Sequence, residues 1–294
     1  DRALRAYQLG GRLLPRVLDV PMGRSVEVWI LLLARDRPES ITRVRRKELE
    51  VMIRDAFEDF DGTYGYRRIQ AVLERRGVRV DGSTVRSIMH ELGLQAAQPR
   101  AKVRTAVLAE DLAERPDLVR RDFTAEVPGR KWCGGINYIS MWAGFVYLAT
   151  VLDCCTKKVV GYAMADHMRT SLECQVIDMA VRRCPVEKEV TVFRSDRRSL
   201  YTSQKLLDHL KAYGIRPFVE RAGVCCDNAW AESFNATLKN ERVHRMVYPT
   251  RRKAISDVIS WTELRYNHVR IRSAFKYRMP NEVEQEFSDL TKAA

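Results

Sequence analysis

Three short β-rich runs, residues 135–141, 145–152 and 157–164, follow one another almost without interruption. Only Trp142-Ala143-Gly144 and Asp153-Cys154-Cys155-Thr156 separate them. Connections this short turn consecutive strands back as hairpins, so the runs predict an antiparallel meander. The pattern then changes. Helical spacing covers 171–183, 204–213, 227–244 and 251–267, with strands expected over 190–193 and 215–219. A meander followed by alternating strands and helices gives an α/β fold with a mixed five-stranded sheet flanked by helices. A composition 46% hydrophobic and 30% charged supports a globular chain able to bury such a layer.

The upstream part reads differently. Residues 43–60 have helical spacing, with Val44, Leu49, Met52, Ile53, Ala56 and Phe57 on one side. A second helix follows Gly62-Thr63-Tyr64-Gly65, with Thr63 as its expected N-cap, stripe residues Ile69, Val72 and Leu73, and Gly77 at its end. A third is expected to start on a Ser83 cap, to bury Val85, Ile88, Met89 and Leu92, and to stop at Gly93. Two short helices joined by a tight connection read as a helix-turn-helix over about 62–94. Val26–Ala34 is too short to span a bilayer and reads as a buried helix. The expected organisation is a helical region 1–94, a linker 95–130 marked by Pro116 and Pro128-Gly129, a core 131–248 and a C-terminal helical extension 249–294.

Net charge is +13, with an isoelectric point near 9.6, and both halves are basic. That balance favours a polyanionic partner. The second helix of a DNA-reading helix-turn-helix enters the major groove, while the first meets the backbone. Arg86 and Thr84 on the later helix, and Arg67 and Arg68 on the earlier one, are therefore candidate DNA contacts. An ordinary helical hairpin with a solvated charged face fits the same spacing. Seven cysteines, an odd number without a paired CxxC frame, read as reduced thiols of a cytosolic protein. No run is long and apolar enough for a membrane span, and no basic-then-apolar leader opens the chain.

Two acids carry the chemical expectation. Asp196 follows the apolar run 190–193, and Glu232 opens the helix expected from 227. A carboxylate at a strand end and another on a later helix can converge to hold a divalent cation for phosphodiester chemistry. Arg194, Arg197 and Arg198 flank Asp196, and Arg251, Arg252 and Lys253 open a second basic stretch that includes Arg265, Arg270 and Arg272. Both are candidate phosphate contacts.

From about Gly62 to Glu284 the chain resembles the OrfB-type transposases of bacterial insertion sequences, whose catalytic domain is of the retroviral-integrase, ribonuclease-H-like type. Gly62-Thr-Tyr-Gly-Tyr-Arg-Arg-Ile69 resembles the upstream helix-turn-helix. Lys131-Trp132, Ile136 and Tyr138-Ile139 resemble the first strand, and Tyr147–Asp153 with Lys158-Val-Val-Gly161 the next hairpin. Ser195-Asp196-Arg197 with Tyr201-Thr-Ser203 resembles the loop of the second acid. Asp227-Asn228-Ala229, Ala231-Glu232-Ser233-Phe234 and Leu238-Lys239 resemble the helix of the third. Tyr266-Asn267, Arg270, Ser273-Ala274 and Pro280 resemble the C-terminal signature. There are departures. The family's first acid falls on Gly135, and its threonine two residues later on Asn137. Arg194, Arg198 and Leu200 replace a His, a Gly and a Gln, and Lys276 stands where a Gly is usual.

The resemblance implies a metal-dependent recombinase that cuts and joins double-stranded DNA at element ends and target, using Mg²⁺ or Mn²⁺ held by three acids. It assigns Asp196 and Glu232 as catalytic and metal ligands and adds Lys239 as a DNA contact. Gly135 offers no ligand, and Asn137 offers at most a neutral oxygen on the same strand face. The expectation is an impaired transposase, acting as a homo-oligomer in the bacterial cytoplasm at the nucleoid. The alternative is a non-catalytic DNA-binding remnant or regulator. A nuclease acting on RNA–DNA hybrids fits the core but leaves the upstream helices and the C-terminal signature unexplained.

Overall fold

The structure, a computed structural model, describes residues 40–98, 125–142, 144–195, 203–219 and 229–293. The chain from Met52 onward forms one compact unit. Before it, the described residues begin helix α1 (Ile41–Asp59), whose exposed first turns carry an Arg45–Glu48 pair. The expectation for 26–34, and most of that for 95–130, fall outside the described residues.

Helices α2 (Tyr66–Arg75) and α3 (Gly82–Glu91) form the upstream pair. Ile69, Val72 and Leu73 on one, and Val85, Ile88 and Met89 on the other, are buried as their spacing requires. Both expected caps are corrected. The Thr63 hydroxyl donates to the Phe60 carbonyl at 2.6 Å, inside a tight turn where Asp61 and Gly62 take positive φ, so Gly65 is the N-cap of α2. Asp81 rather than Ser83 caps α3, its carboxylate accepting from the Ser83 amide at 2.7 Å.

The sheet is mixed and five-stranded, ordered β3-β2-β1-β4-β5. Strands β1 (Lys131–Met141), β2 (Gly144–Asp153) and β3 (Val159–Ala165) make the antiparallel meander. Strands β4 (Val192–Ser195) and β5 (Arg216–Val219) add in parallel on the other side of β1. β1 starts four residues earlier than its pattern suggested, because Lys131–Cys133 pair with β4 and Trp132 pairs with Asp153. Helices α4 (Thr170–Arg183) and α5 (Gln204–Ala212) cover one face, where Trp132, Ile136, Ala149 and Val151 meet Leu172, Val176, Ile177 and Leu206. A Cβ at Gly161 would lie 2.4 Å from the Val176 carbonyl oxygen, so the approach of α4 to β3 requires glycine there.

The opposite face carries Cys133, Ile139, Leu148 and Leu152 under helices α6 (Ala229–Glu241) and α7 (Arg251–Ser260). α7 continues as a π-helix over Trp261–Asn267. Its wider turn brings residues five apart onto one side, so Trp261, Thr262, Tyr266 and Asn267 are all buried together. Asn267 then acts as a strand partner: its side chain accepts from the Val159 amide at 3.0 Å and donates to the Val159 carbonyl at 3.1 Å. The last helix, α8 (Pro280–Ala293), is tied to the sheet by Lys158–Glu284 at 2.5 Å.

Candidate active site

Side chains alternate across a strand, and the two core clusters assign each residue of β1 to a face. Trp132 and Ile136 face α4 and α5, whereas Cys133 and Ile139 face α6. Gly135 and Asn137 therefore look toward α6. Their partners on β2 agree: Gly135 lies opposite Thr150 and Asn137 opposite Leu148, which is buried under α6. The Thr150 hydroxyl donates to the Gly135 carbonyl at 3.4 Å. The Asn137 side-chain oxygen accepts from the Tyr138 amide at 3.0 Å, and its amide nitrogen has no partner among the described residues.

Two contacts fix how α6 lies along β1. At its start, the Trp230 ring sits 3.7 Å from the Lys157 ammonium, in the turn that follows β2. That turn abuts the beginning of β1, since the Cys154 amide donates to the Lys131 carbonyl at 2.8 Å. Near its other end, the Lys239 ammonium lies 4.6 Å from the ring centre of Tyr138. Helix and strand thus run in the same direction. Glu232 and Lys239 are seven residues apart, hence on one stripe of the helix. Glu232 is exposed, while Ala231, Phe234 and Leu238 are buried and hold the helix down.

β4 pairs with β1 only as far as Arg194 opposite Cys133, and its last residue, Ser195, is one step further on. Asp196 is next in sequence. It lies outside the described residues, as do Arg197 and Arg198. Arg194 is buried at the end of β4.

Asp153 is the described acid closest to Gly135 along the hairpin, but it serves another purpose. It lies opposite Trp132, so it belongs to the other face, and it is fully buried. Its carboxylate accepts from the Gly129 amide at 2.9 Å and from the Thr156 amide and hydroxyl at 2.8 Å each. Burial raises its pKa against these hydrogen bonds. Among the described residues no three His, Cys, Asp or Glu side chains group as metal ligands. Toward α6, β1 presents a glycine and an amide at 135 and 137 and no carboxylate.

The other candidate residues divide by location. Arg67 and Arg86 both approach the Tyr66 ring, at 5.5 and 6.0 Å, and Thr84 lies in the first turn of α3. Arg68 is turned inward, 3.6 Å from Glu241, which also takes a bidentate pair from buried Arg270 at 2.8 and 2.6 Å. Arg265 pairs with Asp61 at 3.1 Å, and Arg272 bonds the Tyr266 hydroxyl. Arg251 pairs with Asp166 at 2.8 Å, while Arg252 and Lys253 are exposed beside it. Sequence reasoning missed the Lys157–Trp230 and Glu241–Arg270 contacts. Neither has a local signature, because partners 73 and 29 residues apart meet only when α6 docks.

The strand order, the helix laid along β1 and the helical pair upstream define an integrase-type α/β core preceded by a helix-turn-helix. Residues 125–225 and 213–280 match two families described as Integrase core domain, and 43–102 match HTH-like domain. The transposase of insertion sequence element IS904 from Lactococcus lactis is 31% identical over 251 residues, covering 85% of this chain and 98% of that protein. The putative transposase of IS986/IS6110 from Mycobacterium tuberculosis is 33% identical, covering 71% and 76%. Among solved structures, the HTLV-2 integrase catalytic core domain in complex with magnesium aligns with a TM-score of 0.42 at 12% identity, covering 54% of this chain and 97% of that one. The chain belongs to the bacterial insertion-sequence transposases of the OrfB type, with a retroviral-integrase-like core. No described helix is long and apolar enough to cross a membrane.

Proposed function

We propose that the chain is a transposase of the three-acid type whose DNA-handling surfaces are intact and whose chemistry is crippled at one ligand. Glu232 and Asp196 are the surviving acids; Gly135 occupies the place of the first. In a complete site the divalent cations activate the attacking oxygen and stabilise the leaving one. Here Glu232 and Asp196 supply two sides of such a site and β1 supplies none.

One observation carries this reading. Gly135 is on the face of β1 covered by the helix that bears Glu232, whereas Asp153 is buried on the other face with its oxygens already bonded. Losing a residue that merely orients a ligand costs roughly 10–100-fold, so losing a ligand costs more. The DNA-contacting set is Arg67, Thr84 and Arg86 on the helix-turn-helix, Arg194, Arg197 and Arg198 around Asp196, Lys239 on α6, and Arg251, Arg252 and Lys253 on α7. Arg68 belongs with the internal pairs of Glu241. The partner is double-stranded DNA at element ends and target, engaged by more than one copy of the chain, in the cytoplasm at the nucleoid. Residues 1–94, 95–130, 131–248 and 249–294 remain the working division into helical, linking, core and C-terminal parts.

A second reading, a non-catalytic DNA-binding remnant or regulator of transposition, draws on the same contrast between an assembled fold and a missing acid. One comparison decides between them. Strand transfer with Mg²⁺ or Mn²⁺ is measured for this chain and for Gly135→Asp. A weak parent and a strong variant are expected; equal, robust activity in both refutes the impairment. Inactivity of both, with DNA binding retained, favours the second reading.

A further inference from the structure

At the far end of the β1–β2 hairpin two large rings are exposed. Tyr138 is 55% and Phe145 53% exposed, and they meet edge to face, 5.6 Å between centres at 88°. They belong to neighbouring strands, Tyr138 opposite Tyr147 and Phe145 opposite Ser140, so the contact is a diagonal cross-strand pair. Trp142, 77% exposed, follows at the turn of the same hairpin. Among the described residues no strand covers β1 on this side past Cys133. On this side α6 reaches the Tyr138 ring through Lys239, and the Trp142 amide donates to the Tyr248 carbonyl at 3.3 Å.

Exposed aromatic surface of this size normally has a partner. Position and charge indicate which. Tyr138 is three strand residues from Gly135, about 10 Å at 3.3 Å per residue. Alternation turns Tyr138 to the face of β1 away from Gly135, but its ring meets Lys239, two turns along α6 from Glu232. Lys239 places a cation on the ring, suited to a phosphate next to a stacked base. We propose that Tyr138 and Phe145, with Lys239, form a stacking platform for an unpaired nucleotide at the DNA end being processed. Stacking on a ring does not read sequence, so the platform selects frayed or single-stranded ends over blunt ones. The assignment rests on the DNA-processing reading given above and adds the structure of the substrate end.

The test uses the full chain and two fluorescent probes, a blunt duplex and the same duplex with a short single-stranded 3′ extension. Fluorescence anisotropy with and without salt gives affinity and salt slope. The parent is expected to favour the extended probe about tenfold. Tyr138→Ser/Phe145→Ser, both at exposed positions, is expected to lose that preference while keeping blunt-duplex affinity and salt slope. An unchanged preference in the double variant, or none in the parent, overturns the platform and leaves the transposase reading standing. If the variant keeps the preference but sediments as a smaller species, the rings are a contact between copies of this chain, and the platform is overturned. Failure of the parent to bind either probe overturns both readings.

Discussion

The two faces of β1 differ in what they ask of a side chain. On one, Trp132 and Ile136 are sealed under α4 and α5, and Gly134 leaves room for a neighbour: a Cβ there would lie 2.4 Å from the Phe193 ring. On the other, Gly135 and Asn137 look toward α6, the helix that bears Glu232 and Lys239. Two adjacent glycines thus have opposite meanings. Gly134 is demanded by packing, because the ring from β4 occupies the space of its missing side chain. Gly135 faces α6, and under the function proposed above its lack of a side chain is a chemical loss. A packing face is satisfied within the chain, whereas a chemical face is completed by ions and substrate.

The largest expected effect tests what holds α6 over the chemical face. Glu241, its last residue, is bonded by buried Arg270. Glu241→Gln leaves that guanidinium without its charge partner and is expected to cost about 3–5 kcal/mol in urea unfolding; a loss under about 1 kcal/mol would mean that the helix does not depend on this anchor. Next comes the ligand itself. Added magnesium should leave the melting temperature of the parent unmoved but stabilise Gly135→Asp by about 1–3 kcal/mol near saturation. Equal shifts would show that Gly135 does not border a cation site. The packing face gives the third comparison: Gly134→Ala should destabilise by about 1–3 kcal/mol, and Gly134→Ala/Phe193→Leu should recover part of it. A neutral Gly134→Ala would erase the contrast between the glycines. The smallest effect lies away from β1. Lys276 takes left-handed angles, φ 52° and ψ 44°. Lys276→Gly should therefore stabilise by about 0.5–1 kcal/mol, the relief of the side-chain clash exceeding the added freedom of the unfolded chain.

Much of this was legible beforehand. The meander, the alternating strands and helices and the upstream pair rest on local period and turn residues, and all appear in the expected order. Element ends were less legible. The extra residues of β1 come from pairing with β4, some sixty positions away, and the cap of α3 moved from Ser83 to Asp81 because either side chain can bond the first amides. The C-terminal signature was recognisable, but its purpose was not: Tyr266 and Asn267 are buried partners of Arg272 and Val159.

By itself, the order of residues determined the class of fold, the basic character of the chain and the glycine at position 135, because periodicity, net charge and residue identity are properties of the linear chain. Only the tertiary structure decided which arginines are consumed internally, that Asp153 is buried with its oxygens bonded on the face away from Gly135, and that Tyr138 and Phe145 meet as exposed rings. Those facts depend on which face of a strand a residue occupies and on which distant element packs there, and neither is set until the sheet has closed around its helices.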